Sequence, residues 1–383
     1  MRKVVFGVLF ILLCLGINID VFALPSFKIT QLTDNAGYFD HGPWISGDDV
    51  VWKRRQGEEG SYLYELFFYD GSSIIQLADV STHDFDARTL EGKVVWRDWD
   101  STMHDTEIFL YDGIMTTQIT DNSNFDIDVD ISGDKIVWEG IVAGESEIFY
   151  YDGLTISRLT TNSVDDEFPR ISGDTIVWSH YDGNDYEVIF REGASQVQLT
   201  NNNYDDEYAE ISGDNIVWHG DDGNDLEIFL YDGAITTQLT DNDYLDYWPK
   251  IDGNNVVWHG FDGNDNEIFY YDGSILQQLT DNDYDDWYPQ VFGNNIVWYG
   301  FDGNDNEIFF YDGTGIVQVT DNIYDDRSAR LSGMNLVWSG YDGNDYEIFL
   351  ASPVPEPASV LLLGVGFIGL GAHRYLRRFF RID

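Results

Sequence analysis

A tryptophan returns at a nearly constant interval along most of the chain, and this period restricts the possible folds more than any other feature. The intervals are 44 and 42 residues and then 40 residues five times, for Trp52, Trp96, Trp138, Trp178, Trp218, Trp258, Trp298 and Trp338. Each unit contains four short runs rich in β-branched and aromatic residues, separated by turns rich in Asp, Asn and Gly. Such repeats are typical of propeller blades. We therefore predict an all-β, eight-bladed β-propeller of four-stranded blades.

The strand count also predicts how the ring closes. A fourth strand, ending in a triplet similar to Gln-Leu-Thr, follows only seven of the eight units. The last unit stops at Phe349-Leu350 without one, and a matching stretch, Lys28 to Thr33, precedes the first unit. We predict that this N-terminal strand completes the last blade, which removes the exposed sheet edges and gives a monomeric propeller.

Both ends of the chain have the composition of targeting segments. Residues 1–23 combine a basic start with an apolar run, which predicts a secretory signal peptide, with an uncleaved membrane anchor as the alternative. Residues 353–383 contain Pro355-Glu356-Pro357, then a charge-free apolar run, then an arginine cluster that includes Arg374, Arg377 and Arg378. The apolar run predicts a short transmembrane helix whose arginines stay on the cytoplasmic side. The propeller is predicted to occupy residues 24–352.

The tail resembles the PEP-CTERM sorting signal in all three of its parts, in the same order. The resemblance implies a Gram-negative host, export, and a transient anchor in the inner membrane. It further implies processing by an exosortase-type enzyme and delivery to the cell surface, the outer membrane or the extracellular matrix. Hosts with this system typically make exopolysaccharide.

The repeats resemble TolB-like (PD40/WD40-like) propeller repeats over residues 28–350. One matching copy contains Leu159-Thr160, Asp166, Pro169, Ser172-Gly173-Asp174 and Ile176-Val177-Trp178. Because that fold supports many functions, the resemblance implies architecture and no particular activity.

Net charge narrows the possible partners. The chain has 20 Lys and Arg against 69 Asp and Glu, a formal charge of −49. Nucleic acid needs a basic footprint, so this balance argues against it as a partner. Cations, cationic surfaces and neutral glycans remain as partners for an acidic exported protein.

Most of the acids are predicted to lie on one face of the ring, called the acidic face below. Because strands alternate in direction, the loops before the first strand and after the second strand of each blade share this face, and Asp286 is expected there, with Glu307 at its edge. The loop after the second strand reads Asp-Gly-Asn-Asp in five units, and we call it the DGND loop. Its acids are Asp182, Asp185, Asp222, Asp225, Asp262, Asp265, Asp302, Asp305, Asp342 and Asp345. Ca²⁺ prefers such oxygen ligands, but these residues are also ordinary turn formers, so Ca²⁺ sites and plain turns both remain open.

Aromatic and basic residues on the same face are candidate ligand contacts. Aromatics beside Asp and Asn are typical of sugar binding, with packing between loops as the alternative. The first two units replace the DGND loop with basic segments, which indicates either a specific contact or drift of terminal repeats. The candidate residues are Lys53, Arg54, Arg55, Arg97, His104, Trp248, Trp287 and Tyr288.

The chain contains no nucleophile elbow, Walker loop or HExxH motif. The sequence therefore favours a binding or scaffold protein of the cell surface or matrix, linked to exopolysaccharide or biofilm, over an enzyme. Its predicted ligand is a glycan or a surface protein. The alternative is a polysaccharide-active enzyme, a lyase or a glycosidase, that uses the acidic face.

Overall fold

The fold comes from a computed structural model that describes residues 24–56, 63–81 and 86–354. Within these ranges the chain forms 32 strands, and it has no helix long and apolar enough to cross a membrane. The predicted signal peptide, the predicted transmembrane helix and the motif residues Pro355, Glu356, Pro357, Arg374, Arg377 and Arg378 lie outside the described ranges.

The strands form eight four-stranded antiparallel sheets, one for each repeat. The first strand of the chain is Phe27–Gln31 (β1). Blade 1 contains Tyr38–Ser46 (β2), Asp49–Gln56 (β3), Leu63–Tyr69 (β4) and Ile74–Ser81 (β5). Blade 2 contains Ala87–Leu90 (β6), Lys93–Asp100 (β7), Asp105–Tyr111 (β8) and Thr116–Gln118 (β9). Blade 3 contains Phe125–Ser132 (β10), Lys135–Val142 (β11), Glu145–Tyr151 (β12) and Ile156–Arg158 (β13). Blade 4 contains Asp166–Ser172 (β14), Thr175–Tyr181 (β15), Tyr186–Glu192 (β16) and Ser195–Gln198 (β17).

The second half of the chain repeats this arrangement in shorter strands. Blade 5 contains Asp206–Ser212 (β18), Asn215–Asp221 (β19), Leu226–Tyr231 (β20) and Thr236–Gln238 (β21). Blade 6 contains Asp246–Asp252 (β22), Asn255–Phe261 (β23), Asn266–Tyr271 (β24) and Leu276–Gln278 (β25). Blade 7 contains Asp286–Phe292 (β26), Asn295–Phe301 (β27), Asn306–Tyr311 (β28) and Ile316–Gln318 (β29). Blade 8 contains Asp326–Ser332 (β30), Asn335–Tyr341 (β31) and Tyr346–Pro353 (β32).

Strand β1 completes blade 8 and closes the ring. It pairs antiparallel with β32, with Ile29 opposite Ala351, and the sheet order is β1-β32-β31-β30. One residue beyond β32, the backbone N–H of Val354 donates to the backbone oxygen of Ser26 at 2.8 Å. The predictions of eight blades and of closure by the N-terminal strand are confirmed.

The hydrophobic core lies between blades. Each of eight buried clusters combines residues from two neighbouring blades. At the seam between blade 8 and blade 1, Trp52 belongs to the same cluster as Val337 and Ile348. Trp52 also stacks on Phe67 of its own blade, with ring centroids 5.8 Å apart. Blades therefore need apolar side chains on both faces, which explains why their middle strands read as continuous apolar runs.

The first strand of each blade lies nearest the axis, where neighbouring first strands contact one another around the ring. In seven blades, all but blade 2, the pairing of the first strand with the second shifts register partway along, which marks a β-bulge. The bulge residue has a positive φ in each case: Gly42, Asp128, Phe168, Tyr208, Trp248, Tyr288 and Ser328. A bulge redirects the chain locally, and here it does so at the equivalent position of the first strand in these seven blades.

We expect Thr30→Pro to destabilise the ring by breaking the closing strand pair. Thr30 lies opposite Leu350 in the middle of β1, and proline in a paired strand removes a ladder hydrogen bond. The melting temperature should fall by a few degrees, since 1 kcal/mol shifts it by about 2–4 °C in domains of 150–250 residues. Thr30→Val, which keeps the N–H, is the control and should melt like the wild type. Equal melting of all three chains in a calorimetric scan would contradict the assigned closure.

Candidate functional site

A buried polar network lies beneath the acidic face and repeats from blade to blade. In seven blades the indole Nε1 of the repeated tryptophan donates a hydrogen bond of 2.8–3.1 Å to an aspartate twelve residues earlier. In blade 7 the other oxygen of this aspartate, Asp286, accepts from Nδ2 of Asn282 at 2.8 Å. The backbone N–H of Asn282 in turn donates to Glu267 of blade 6 at 2.7 Å. The network therefore joins two blades through the chain that connects them.

Two positions expected on the acidic face are buried instead. Asp286 is 4% exposed and Glu307 is 0% exposed. Both carboxyl groups point inward because each accepts hydrogen bonds from donors of the network. Asp286 accepts from the indole of Trp298, and Glu307 accepts from the backbone N–H of Asn322.

Burial raises the pKa of these carboxyl groups. It raises the pKa of Asp286 to about 6, that of Glu267 to about 7 and that of Asp126 to about 7. Hydrogen bonds from Asn282 and Trp298 act in the opposite direction on the pKa of Asp286 but do not compensate for burial. These groups hold a proton more readily in the folded chain than in the unfolded chain.

The two aspartates of a DGND loop have different environments. In blade 6 the Oδ1 of Asp262 accepts from the backbone N–H of Asn264 at 2.9 Å, and its own N–H donates to the backbone oxygen of Asp265. This is turn chemistry. Asp265 is only 8% exposed, and neither of its carboxylate oxygens has a hydrogen-bond partner among the described residues. The turn thus explains the first aspartate and leaves the second unexplained.

Five groups of three acids place ligand oxygens within 4.8 Å of one another in the part of the chain that the structure describes. Each combines the first aspartate of a DGND loop with the buried third-strand glutamate of the same blade. In four groups the third acid directly follows the Gln-Leu-Thr-like triplet, and in the blade 4 group it is the second aspartate of the loop. The groups are Asp182–Asp185–Glu187, Asp222–Glu227–Asp241, Asp262–Glu267–Asp281, Asp302–Glu307–Asp321 and Asp34–Asp342–Glu347. The other second aspartates, Asp225, Asp265, Asp305 and Asp345, lie in the same loops.

Four aromatic bulge residues of successive blades line one side of the channel mouth, and we call Phe168, Tyr208, Trp248 and Tyr288 the aromatic arc. The Phe168 and Tyr208 rings stack with centroids 4.4 Å apart, and the Trp248 and Tyr288 rings stack at 5.2 Å. Tyr208, Trp248 and Tyr288 are 37–42% exposed. All four line one cavity of about 210 Å³. The arc therefore offers ring faces to a molecule in the channel mouth.

Charged side chains lie one step deeper beneath the arc. Arg170, Glu210 and Lys250 line the same cavity. Lys250 forms an ion pair with Glu210, whose second basic neighbour, Arg170, lies 3.7 Å away. Burial alone would raise the pKa of Glu210, but these two bases hold it below its ordinary value. Glu210 is therefore a carboxylate held between two cations.

The opposite side of the channel mouth carries a second charged group, and we call Lys53, Asp86, Arg88 and Arg330 the charged wall. These residues line a cavity of about 200 Å³ that also contains Trp44. The Arg88 and Arg330 guanidinium groups lie 4.3 and 5.0 Å from the centroid of the Trp44 ring. Burial lowers the pKa of Arg330 to about 10, and its Nε has no hydrogen-bond partner among the described residues. The wall therefore places a partly buried guanidinium group beside the channel.

The structure brings some of the predicted ligand residues together. Trp248 and Tyr288 stack in the aromatic arc. Lys53 lines the charged wall, and Arg97 acts on the Asp86 carboxyl group of that wall. Burial raises the pKa of Asp86, but the positive charges of Arg88, Arg170, Arg97 and Lys53 outweigh burial and hold this pKa below its ordinary value.

The remaining predicted ligand residues lie elsewhere. Arg54 pairs with the buried Asp40 at 2.9 Å, and the Arg55 guanidinium lies 4.7 Å from the Phe39 ring centroid. His104 lies in an exposed turn, with its ring 6.3 Å from Trp99. The Trp287 ring packs at 5.1 Å against the fully buried His259.

The sequence analysis did not identify five residues of the aromatic arc and the charged wall, namely Phe168, Tyr208, Asp86, Arg88 and Arg330. A signal for the first two exists, since an aromatic residue stands two positions after the repeated aspartate in four successive units. The alternation of side-chain directions along a regular strand would not predict that this aromatic residue faces the channel, because the bulge changes the direction of its side chain. The other three residues also stand at fixed positions of the repeat: Asp86 is two residues after Asp84, and Arg88 and Arg330 are four residues after the repeated aspartate, as are Arg170, Glu210 and Lys250.

Comparison with family models covers the end of the chain. Residues 353–378 match the PEP-CTERM protein-sorting motif. All six predicted motif residues, from Pro355 to Arg378, lie within this match. PEP-CTERM is the sorting signal that exosortase recognises, so the chain is exported and undergoes membrane-anchored sorting. The comparison with curated proteins found no match.

Similar solved structures are propellers. The propeller domain of the Trilobed protease from Pyrococcus furiosus is 14% identical with a TM-score of 0.56, covering 74% of this chain and 98% of that one. The acylaminoacyl peptidase of Pyrococcus horikoshii is 13% identical with a TM-score of 0.53, covering 79% of this chain and 57% of the peptidase. A TolB protein of Agrobacterium tumefaciens is 14% identical with a TM-score of 0.39, covering 63% of this chain and 95% of that one. The chain thus has a propeller fold similar to that of the Trilobed protease domain, and at these identities the likeness concerns the fold alone.

Thermal stability should fall as the pH rises from 5 to 8. Burial raises the pKa of Asp206, Asp246 and Asp286 to about 6 and that of Asp126 and Asp326 to about 7. A raised folded-state pKa means that the folded chain binds more protons in this window, so deprotonation costs stability as the pH increases. Melts in chelated buffer at high salt, which screens the exposed charges, measure the effect. A melting temperature that is constant or rises over this range would contradict it.

Proposed function

We propose that this exported chain is a binding module of the cell surface or extracellular matrix, and that it holds a carbohydrate chain at its channel mouth. The observation that carries the proposal is the aromatic arc, a row of ring faces on one side of a channel that is otherwise lined by charges. Carbohydrates present apolar C–H faces edged with hydroxyl groups, and aromatic platforms beside polar groups complement both.

The backbone at the arc supports a functional role for these side chains. Phe168, Tyr208, Trp248 and Tyr288 have φ between 51° and 56°, a region that bulky residues rarely occupy. Such a conformation costs on the order of 1–3 kcal/mol per residue and persists where the surroundings enforce it, often at ligand sites. Glycine occupies the equivalent bulge in blade 1, so the position does not require an aromatic residue for folding.

The charged wall supports an acidic group on the carbohydrate. In a chain of net charge −49, Lys53, Arg88 and Arg330 converge on one cavity at the channel mouth. The glycine at position 42 makes room for one of them, since the Cε of Lys53 lies 3.0 Å from where a Cβ on Gly42 would be. A uronic acid or another carboxylated sugar would find ring faces on one side and guanidinium groups on the other.

The sorting signal supports a location where the protein would meet polysaccharides of the cell surface or matrix. An exported protein that is sorted at the membrane encounters surface and matrix polysaccharides directly. The acidity of the rest of the surface would repel acidic chains except where the basic residues of the channel mouth are exposed. We therefore favour exopolysaccharide of the producing cell as the ligand, with a role in the matrix or biofilm.

Trp248→Ala and Tyr288→Ala should weaken binding to an acidic polysaccharide by tenfold or more each. Loss of an aromatic anchor commonly costs about 1.4 kcal/mol or more, which corresponds to a factor of ten. Affinity electrophoresis in gels containing an acidic or a neutral polysaccharide measures the effect for the full-length chain. Tyr244→Ala is the matched control, since Tyr244 is also 42% exposed but packs against Phe261 outside the arc.

The result that supports the proposal is retardation by the acidic polysaccharide that both arc variants lose and the control keeps. Retardation by neither polysaccharide, or equal losses in all three variants, would contradict it. Retardation by the neutral polysaccharide alone would leave the arc in place and overturn the role of the charged wall.

The charged wall also favours one catalytic alternative, a polysaccharide lyase. Such an enzyme needs a basic cluster that stabilises negative charge developing on a uronic acid, and Arg330 and Arg88 beside Lys53 provide the right residue types. Prolonged incubation with acidic polysaccharide, followed by ultraviolet detection of unsaturated products, tests this. Product that disappears in Arg330→Ala would identify an enzyme, and the absence of product with intact retardation would identify a binding protein.

A further inference from the structure

We propose that the five acid groups of the acidic face bind Ca²⁺, and that the ion at the Asp34–Asp342–Glu347 group fastens the two ends of the ring. This inference stands apart from the ligand of the channel mouth, because no residue of the five groups lines either of the two cavities there. It concerns how the propeller is held closed.

The first step is that four of the five groups contain a carboxylate oxygen without a hydrogen-bond partner among the described residues, whereas at the seam both oxygens of Glu347 accept from Asn35. Glu187, Glu227, Glu267 and Glu307 are 0% exposed, and the Oε2 of each has no hydrogen-bond partner among the described residues. The other oxygen is satisfied, since the Oε1 of Glu227, for example, accepts from the backbone N–H of Asn242 at 2.7 Å. A buried carboxylate oxygen without a partner is costly, so its persistence in four blades points to a ligand.

The second aspartate of each DGND loop adds to this set. Asp265 and Asp305 are 8% and 9% exposed, and none of their four carboxylate oxygens has a hydrogen-bond partner in the described chain. Asp345, 2% exposed, has one such oxygen at the closing seam. In blade 4 the equivalent Asp185 belongs directly to the acid group. In blades 5 to 8 the second loop aspartate is thus a fourth carboxylate of the same loop, whereas the blade 4 group has three.

The donor set selects the class of ion. The ligand atoms are carboxylate oxygens within 4.8 Å of one another, and no His or Cys belongs to any of the five groups. Carboxylates so close repel one another unless a cation lies between them. Oxygen-only sites suit Ca²⁺ or Mg²⁺ rather than Zn²⁺, and several carboxylates on flexible turns suit the six to eight ligands of Ca²⁺ better than the octahedron of Mg²⁺.

The position of the groups indicates what the ion would stabilise. In blades 5, 6 and 7 the third acid of the group directly precedes the asparagine that connects neighbouring blades, as Asp281 precedes Asn282. At the closing seam the equivalent acid is Asp34. Asn35 donates from its backbone N–H to Glu347 and from its side chain to Asp40, both at 2.7 Å. An ion bound by Asp34, Asp342 and Glu347 would join the N-terminal segment to the last blade.

Blade 2 provides a matched control within the same chain. Asp121 follows Thr120 and precedes Asn122, as Asp34 follows Thr33 and precedes Asn35. Asn122 makes the same hydrogen bond to a third-strand glutamate, Glu107, at 2.7 Å. Blade 2 has no DGND loop, and Asp121 belongs to none of the acid groups of the described residues. Asp121→Asn therefore changes the equivalent residue without removing a proposed ligand.

The experiment measures Ca²⁺ stoichiometry and thermal melting on the full-length chain in detergent, after removal of bound metal with EDTA. Equilibrium dialysis with Ca²⁺ should give about five ions per chain, one for each group. The melting temperature should rise with Ca²⁺ concentration and rise less with equal Mg²⁺, because an ion that binds only the folded state stabilises it. Asp34→Asn should lose about one of the five ions and part of the Ca²⁺-dependent rise, and Asp121→Asn should lose neither.

Three results would overturn the proposal. The first is no Ca²⁺ retained above the buffer level, and the second is a rise in melting temperature that Mg²⁺ reproduces in full. The third is an equal number of bound Ca²⁺ ions in the wild type and in Asp34→Asn. That result would contradict the ion at the closing seam in particular. Because Asp34→Asn leaves Asn35, Glu347 and Asp40 in place, the variant keeps the hydrogen bonds of the seam. A melt in EDTA that matches the wild type shows that it folds.

Discussion

The asparagine between successive blades makes the contact on which the rest of the structure depends. Its backbone N–H bonds a buried glutamate of one blade, and its side chain bonds a buried aspartate of the next, as Asn242 does with Glu227 and Asp246. The same aspartate holds the indole of the core tryptophan, Trp258. One linker residue thus positions a polar network and an apolar core together. At the closing seam Asn35 makes both contacts from the other end of the chain, so that seam is built like the others.

This arrangement links the stability of the ring to the geometry of the channel. The aspartate that receives the linker begins the first strand, and the bulge follows two residues later. The linker therefore determines where each bulge lies, and the bulge determines which side chain reaches the channel mouth. Trp248 and Tyr288 stack there because Asp246 and Asp286 are held in equivalent positions in their blades. The side chains of seven separate strands are positioned at the channel mouth in this way without a loop of their own.

The sequence was sufficient for the architecture because the architecture repeats. The tryptophan period gave the number of blades, and the missing fourth strand gave the closure. Individual carboxylates were harder to place, since Asp286 and Asp283 look alike in a chain so rich in acid, and only the nearby indole makes one of them internal. The channel mouth was predictable in part. Trp248, Tyr288, Lys53 and Arg97 could be chosen as departures or as exposed aromatics, whereas Arg330 and Asp86 occupy fixed repeat positions whose place at the channel only the folded ring reveals.

The bulge in the first strand has a consequence for how such a chain can vary. Each of the seven bulges places at the channel mouth the residue two positions after a buried aspartate, and glycine, serine, aspartate and three kinds of aromatic residue occupy that point. The residue at this position can therefore differ from one repeat to the next, about every forty residues along the chain, without a change of fold. Exchange of single repeats would change the side chains at the channel mouth, while the propeller that positions them would remain the same.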